Sequence, residues 1–311
     1  MLIIKNKSCN RSMEDYNGLF SNISGKYRYN YNISHNNRFK IGGNADVFFQ
    51  PKNLKDLQKF FYNNKLSFPI SIIGAGSNIL VSNAGISGIV IRLSNAFSTI
   101  KFIDENKLFV GAGCLNYNLV KFAQLYSVKN FEFLIGIPGT VGGGIAMNAG
   151  AYGREFKDII LSVQAMDYFG NIVTYSNEEC GFGYRSNRLS DSLIYTGAVL
   201  KVDFGNIDDI NQKISYISYM RSSSQPINSK TIGSFFKNPR DIPAWKLIDN
   251  LGLRGKSIGE ASVSKLHCNF IVNLGNASSS DIISLANLII SKVSSHYNID
   301  LKLEVKKIGI F

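Results

Sequence analysis

Between positions 136 and 153 the chain reads Gly-Ile-Pro-Gly-Thr-Val-Gly-Gly-Gly-Ile-Ala-Met-Asn-Ala-Gly-Ala-Tyr-Gly, and small residues dominate all eighteen positions. Few folds tolerate so long a stretch with so little side chain. A Walker A loop is excluded, because no Lys-Ser or Lys-Thr pair follows the glycines. A flexible linker is disfavoured, because Ile137, Val141, Ile145 and Met147 would be misplaced in one. Two readings survive. Either the bare backbone packs against a large flat ligand, or the segment is a glycine-bent strand and turn.

Four further segments carry potential chemistry. In residues 72–81 an apolar strand runs into Gly74-Ala75-Gly76-Ser77-Asn78, whose successive N–H groups can cradle a pyrophosphate. It is not a dinucleotide fingerprint of the G-x-G-x-x-G type, since position 79 is Ile and the continuation reads as a strand rather than a helix. Gly183-Tyr184-Arg185 sets an arginine beside aromatics, suited to bidentate binding of a carboxylate or phosphate, or simply a surface cation. Ser234, in Gly233-Ser234-Phe235-Phe236-Lys237-Asn238-Pro239, lacks the G-x-S-x-G elbow and any evident histidine base. It reads as a proton donor or a turn serine rather than a hydrolase nucleophile. Glu304 falls by strand alternation on the face of Lys302 and Lys306, which by itself suggests a solvated charged face.

The remaining features narrow the class. Over 311 residues, 45% hydrophobic and 18% charged side chains give material for a sizeable core and about two domains, or one large domain plus a smaller one, not a disordered chain. No apolar run approaches a membrane span, and the opening residues are too short an apolar run for a secretory leader, so a cytoplasmic protein is expected. The charge of +12 comes from scattered residues, without the basic block of a nucleic-acid patch. Cys9, Cys114, Cys180 and Cys268 lie far apart, which gives no metal motif and suggests reduced thiols; His35, His267 and His296 are isolated and read as structural. Residues 1–31 read as a loosely ordered polar extension. Helices are expected over residues 52–64, 115–126, 205–224, from Pro243 to a stop at Gly252, and 279–294 with Ser279 or Ser280 as cap; a last strand is expected over 301–308.

Taken in order, Arg38-Phe39-Lys40-Ile41-Gly42-Gly43, the Gly74–Asn78 loop, residues 137–153, Gly183-Tyr184-Arg185, residues 233–239, residues 244–249 and Leu303-Glu304-Val305 resemble the UDP-N-acetylenolpyruvoylglucosamine reductase family of peptidoglycan synthesis. The length resembles the shorter sub-type that lacks an inserted tyrosine-bearing loop. The resemblance implies an α+β fold: two FAD-binding subdomains of the vanillyl-alcohol-oxidase/PCMH type (about 32–96 and 97–205) and a C-terminal substrate-binding domain (206–311) whose last strand returns to the active site. It implies non-covalent FAD held by Gly74, Ala75, Gly76, Ser77, Asn78, Ile137, Pro138, Gly139, Gly142, Gly143, Asn148, Ala149, Gly150 and Gly153. It further implies NADPH as co-substrate and a sugar-nucleotide substrate contacted by Tyr184, Arg221, Lys237 and Asn238. Catalysis would fall to Arg185, Ser234 and Glu304, in a monomer with no metal, nucleic-acid or membrane partner. A same-fold flavin oxidase acting on another small substrate is the alternative; a basic nucleic-acid-binding protein would rest on charge alone.

Overall fold

The computed structural model describes residues 13–64, 68–189 and 191–311. Its helices are α1 (Leu54–Asn63), α2 (Asn116–Leu125), α3 (Val141–Ala146), α4 (Asn177–Cys180), α5 (Ile207–Ser224), α6 (Ala244–Asn250) and α7 (Ser279–Tyr297). The chain divides into two compact units, each assembled from separated segments. The first takes the described residues up to Asn30, then Asp46–Gly74 and Gly88–Ile217; the second takes Tyr31–Ala45, Ala75–Ser87 and Ser218–Phe311. The division therefore falls within α5, rather than at 205/206, and two early segments join the C-terminal unit. Among the described residues no helix is long and apolar enough to cross a membrane.

Among the described residues the first unit is built on two larger sheets, of four and five strands. One has the order Lys26–Asn32, Asn44–Gln50, Ile86–Arg92, Ile70–Ile73. Its last two strands are parallel, with Ile70 opposite Ile89. Against it lies α1, which begins where the Asn53 side chain accepts from the Asp56 N–H at 2.9 Å and which buries Leu57, Phe60 and Phe61. The second sheet is antiparallel, in the order Ile172–Ser176, Ile160–Met166, Ile194–Lys201, Lys107–Gly111, Ile100–Asp104. Its core joins Leu108, Val110, Val163, Ala198 and Leu200 to Leu119, Val120 and Ala123 of α2 and to Val141 and Ile145 of α3.

Residues 1–31 do not all form a loose extension. A 3₁₀ segment, Met13–Phe20, inserts Tyr16, Leu19 and Phe20 into the core beside α1. The Phe20 ring stacks on Tyr27 at 4.1 Å and meets Phe49 at 5.4 Å. Buried Asp56 accepts from the Ser24 and Lys52 N–H groups at 2.7 and 2.9 Å, tying the incoming chain down. The strand Lys-Tyr-Arg-Tyr-Asn-Tyr-Asn hides its periodicity of two behind a polar composition. Cys9 lies outside the described residues.

In the second unit Ile79–Val81 pairs in parallel with Lys306–Ile308, and a small antiparallel sheet runs Ser257–Ile258, Ala261–Val263, Ile271–Asn273. Helices α6 and α7 cover a core that also contains Phe39, Ile41 and Leu80. The α7 cap is Ser278, one residue before the expected position, in a reciprocal capping box with Asp281. The expected strand over residues 301–308 is regular only at Lys306–Ile308; Leu303 makes a single bridge to Phe236. On α5, Ile210, Ile214 and Ile217 are buried, whereas Ile207 is exposed and Met220 only partly covered.

Candidate active site

The eighteen-residue stretch is neither a bent strand nor a loop throughout. Its centre is α3, a helix of sequence Val-Gly-Gly-Gly-Ile-Ala, started by Thr140, whose hydroxyl accepts from the Gly143 N–H at 3.3 Å. Glycine inside a helix costs about 0.5–1 kcal/mol, and close packing offsets that here. A Cβ at Gly142 would lie 2.9 Å from the Ala112 Cβ, and one at Gly144 would run into the Phe156 ring. Gly143, by contrast, is exposed, and its only close neighbour would be Thr140. The two glycine-rich segments meet at one point, since any side chain on Gly74 would strike the Thr140 hydroxyl.

These surroundings fit a flavin dinucleotide. Beside Ile137 and Gly139, whose carbonyls accept from the Asn116 side-chain amide and N–H at 3.0 Å each, the fully buried Asn116 keeps an Oδ1 with no partner among the described residues. In the second unit, taken by itself, Asn36, whose backbone oxygen abuts Gly76, has a buried Oδ1 with no partner among the described residues. Buried acceptors without partners are costly unless something supplies a donor.

Some expected cofactor residues have other duties. Gly76, at φ +67°, packs against Asn36 and Asn37, and its carbonyl accepts from the Arg38 N–H at 3.0 Å. Asn78 donates its amide to the Glu304 carbonyl at 3.2 Å. The Asn148 side chain is fully engaged within the protein. It donates to Gly183 O at 2.9 Å and to Glu155 at 3.0 Å, and accepts from the Lys157 N–H at 3.0 Å. Both N–H groups of the carboxamide are thus used within the protein, and Asn148 shapes the arginine loop.

Arg185 closes that loop at φ +51°, in the left-handed region that side chains avoid at a cost of roughly 1–2 kcal/mol. Its Nη2 donates to the Gly150 carbonyl at 2.8 Å, its Nη1 faces a Glu155 oxygen at 3.6 Å, and the guanidinium lies over the Tyr184 ring at 5.0 Å. Glu155 was not among the sequence-expected residues; the available signal was its place directly after the glycine stretch. The Tyr184 side chain is exposed.

Ser234 and Glu304 are brought together on neighbouring segments of the second unit. Ser234 bridges Phe270, and the next residue, Phe235, offers its carbonyl to the Glu304 N–H at 3.0 Å. Phe235 and Phe236, both 1% exposed, anchor the segment, and the Asn269 side chain clamps Phe236 by accepting from its N–H at 2.9 Å and donating to its carbonyl at 2.8 Å. Lys237 pairs by its N–H with the Lys302 carbonyl at 2.8 Å. Glu304 does not share the environment of Lys302 and Lys306. Those two are exposed, whereas Glu304 is half-buried, because the chain is irregular here and strand alternation fails. The exposed Asn238 uses its Oδ1 to accept from the Ala244 N–H at 3.0 Å at the start of α6, and Arg221 lies in the last turn of α5. The described cysteines are buried, and burial pushes the thiols of Cys114, Cys180 and Cys268 up to about 11, which leaves them inert.

Two family models match the chain. Residues 45–176 match the FAD binding domain family, and residues 225–308 match the C-terminal domain of UDP-N-acetylenolpyruvoylglucosamine reductase. The reductase of Rickettsia bellii (strain RML369-C) is 50% identical over 92% of this chain and 95% of its own length. That of Rickettsia rickettsii (strain Sheila Smith) is 49% identical over 92% and 97%. The crystal structure of the reductase from Thermus caldophilus superposes with a TM-score of 0.80 at 31% identity, covering 92% of this chain and 100% of that one. A glycine-walled cradle, a locked arginine and a serine–glutamate pair on adjacent segments thus stand in a chain that belongs to the UDP-N-acetylenolpyruvoylglucosamine reductase family.

Proposed function

We propose that Arg185, Ser234 and Glu304 share the work of the family's reaction, in which UDP-N-acetylglucosamine enolpyruvate is reduced to UDP-N-acetylmuramate at the expense of NADPH. A bound FAD would supply the redox chemistry, relaying a hydride equivalent from NADPH to the methylene carbon of the enolpyruvyl group. Gly74, Ala75, Ser77, Ile137, Pro138, Gly139, Gly143, Ala149 and Gly153 are the residues of this chain assigned to hold it.

As the methylene carbon gains hydride, negative charge develops on the neighbouring carbon and its carboxylate. Arg185 balances that charge with a fixed planar cation; an electrostatic contact of this kind is worth about 10²–10³ in rate. Ser234 delivers the proton that completes the addition. A hydroxyl is a weak acid, but an enol-like carbon is a strong base, and positioned proton transfer contributes about 10²–10⁴-fold. Glu304 completes the set beside the substrate carboxylate, where it must be protonated or paired with a cation. Lys237 and Arg221 serve the anionic sugar nucleotide. The enzyme works as a cytoplasmic monomer, and the scattered positive charge has no nucleic-acid or membrane partner.

The carrying observation is the backbone pairing of Phe235 with Glu304, which puts the proton donor and the carboxyl on adjacent segments. The test separates the two half-reactions. Ser234→Ala should leave flavin reduction by NADPH near normal and slow reoxidation by the enolpyruvyl sugar nucleotide by two or more orders of magnitude, with partial recovery in Ser234→Cys. Equal losses in both halves would refute the donor role.

A further inference from the structure

We infer that Glu155 is the positioning residue for Arg185, part of a two-pronged holder that sets the guanidinium before substrate arrives; this rests on the reading of Arg185 given above.

The holder is built from one very short hairpin. Gly150–Ala151 pairs antiparallel with Arg154–Glu155, and Gly150 stands directly opposite Glu155. The two facing residues supply one hydrogen-bond acceptor and one counter-charge. The Gly150 carbonyl takes the Nη2 of Arg185 at 2.8 Å and the Glu155 carboxylate faces Nη1 at 3.6 Å. A carbonyl and a carboxylate at a fixed spacing meet the two terminal nitrogens of one planar fork, so the pair sets both the position and the tilt of the guanidinium. Gly150 must be glycine for this to work, since its Cβ would lie 2.7 Å from the Glu155 Cγ and 3.1 Å from the Arg185 Nη1.

Glu155 is itself held. One carboxylate oxygen faces Arg185; the other accepts from the Asn148 amide at 3.0 Å and pairs with Lys157 at 2.9 Å. Asn148 in turn grips the carbonyl of Gly183, two residues before Arg185, at 2.9 Å. Glutamate, amide and arginine loop thus form a closed ring of contacts. The side chains of Arg185 and Glu155 are only 17% and 21% exposed, so the pair is partly shielded from water. Its value is geometric rather than a large gain in stability. A guanidinium already locked need not be ordered when charge develops on the substrate, and that saving appears in the transition state.

The experiment compares Glu155→Gln, Glu155→Asp, Arg185→Ala and the double variant Glu155→Gln/Arg185→Ala, all as flavin-loaded enzyme. In Glu155→Gln, flavin content and reduction by NADPH should stay normal. Reoxidation by the enolpyruvyl sugar nucleotide should fall about tenfold or more in kcat with little change in KM, and Glu155→Asp should recover part of it. On the Arg185→Ala background, Glu155→Gln should add no further loss, since a positioning residue has nothing left to position. Normal reoxidation in Glu155→Gln alongside a severe loss in Arg185→Ala would overturn the role of Glu155 alone. Normal reoxidation in Arg185→Ala would overturn the assignment of Arg185 itself. Losses that multiply in the double variant, or that strike both half-reactions, would make Glu155 a general structural residue and refute the proposal.

Discussion

Glu304 shows what a single position can hide. From sequence it alternates with two lysines, and an exposed pair of that kind contributes only ~0–1 kcal/mol. In the fold its N–H is tied to Phe235 and its carbonyl to Asn78, while both lysines face water. Glu304→Ala is therefore expected to lose at least about a hundredfold in turnover, about 2.7 kcal/mol of barrier, with an almost unchanged melting temperature; Lys302→Ala and Lys306→Ala should stay within a fewfold of wild type. Steady-state turnover of the three variants decides it. Gly76 teaches the opposite lesson. The nucleotide-loop reading expects bulk at this position to expel the flavin and leave the fold intact. Its left-handed φ and its contact with the Asn36 carbonyl mean that even Gly76→Ala strains the protein before any ligand is considered. The melting temperature of the flavin-free protein should fall, by the equivalent of roughly 1–2 kcal/mol from the backbone alone. A flavin-free variant as stable as wild type would return Gly76 to a purely ligand-facing role.

At the scale of elements, the amphipathic helices were legible because apolar spacing and caps act locally: α1, α2, α6 and α7 lie within a few residues of their expected places. The glycine helix was not legible, because its glycines answer to Ala112 and Phe156, which are distant in sequence. The strand at Lys26–Asn32 was missed because tyrosines among asparagines and lysines look polar, although Tyr29 and Tyr31 are partly covered. Two elements yield predictions. Ser278→Ala removes the α7 capping box and should cost about 1 kcal/mol, read as a lower unfolding midpoint in denaturant with unchanged slope. The turn that carries the Asn269 clamp contains His267, whose Nδ1 accepts from the Asn269 N–H at 3.2 Å. Burial holds this imidazole below its ordinary value of 6.5. The folded protein thus resists a proton that the unfolded chain accepts. The contribution is complete above about pH 6.5 and fades as pH falls below it toward the lower folded value. Between about pH 7.5 and about pH 5.5 the melting temperature should fall more steeply in wild type than in His267→Gln; equal slopes would exclude His267 as the titrating group.

On the scale of the whole molecule, the two units cannot be cut apart at a single peptide bond. A contiguous C-terminal domain was the natural reading, since its helices and strands sit together in sequence. Yet its core includes Phe39, Ile41 and Leu80, all at most 2% exposed, and the Asn273 amide reaches the Phe39 carbonyl across 234 positions at 2.9 Å. Losing one buried Phe costs about 3–5 kcal/mol and one Leu or Ile about 2–5, against a total of about 5–15 for a typical domain. Residues 218–311 expressed alone should give no cooperative thermal transition by circular dichroism, whereas the full chain melts cooperatively. A sharp transition in the fragment would show that the early segments are dispensable.

The parallel pairing of Ile79–Val81 with Lys306–Ile308 sets a clock on biogenesis. Asn78 and its partner Glu304 stand 226 positions apart. At ~5–20 residues per second, a ribosome needs roughly 10–45 s to make that interval. During that wait Leu80 and Val81, fully covered in the finished protein, have no strand to lie beside. The nascent chain carries an open, apolar edge through most of its synthesis. Slowed translation of the later half should therefore raise aggregation of this chain more than of one built from contiguous domains.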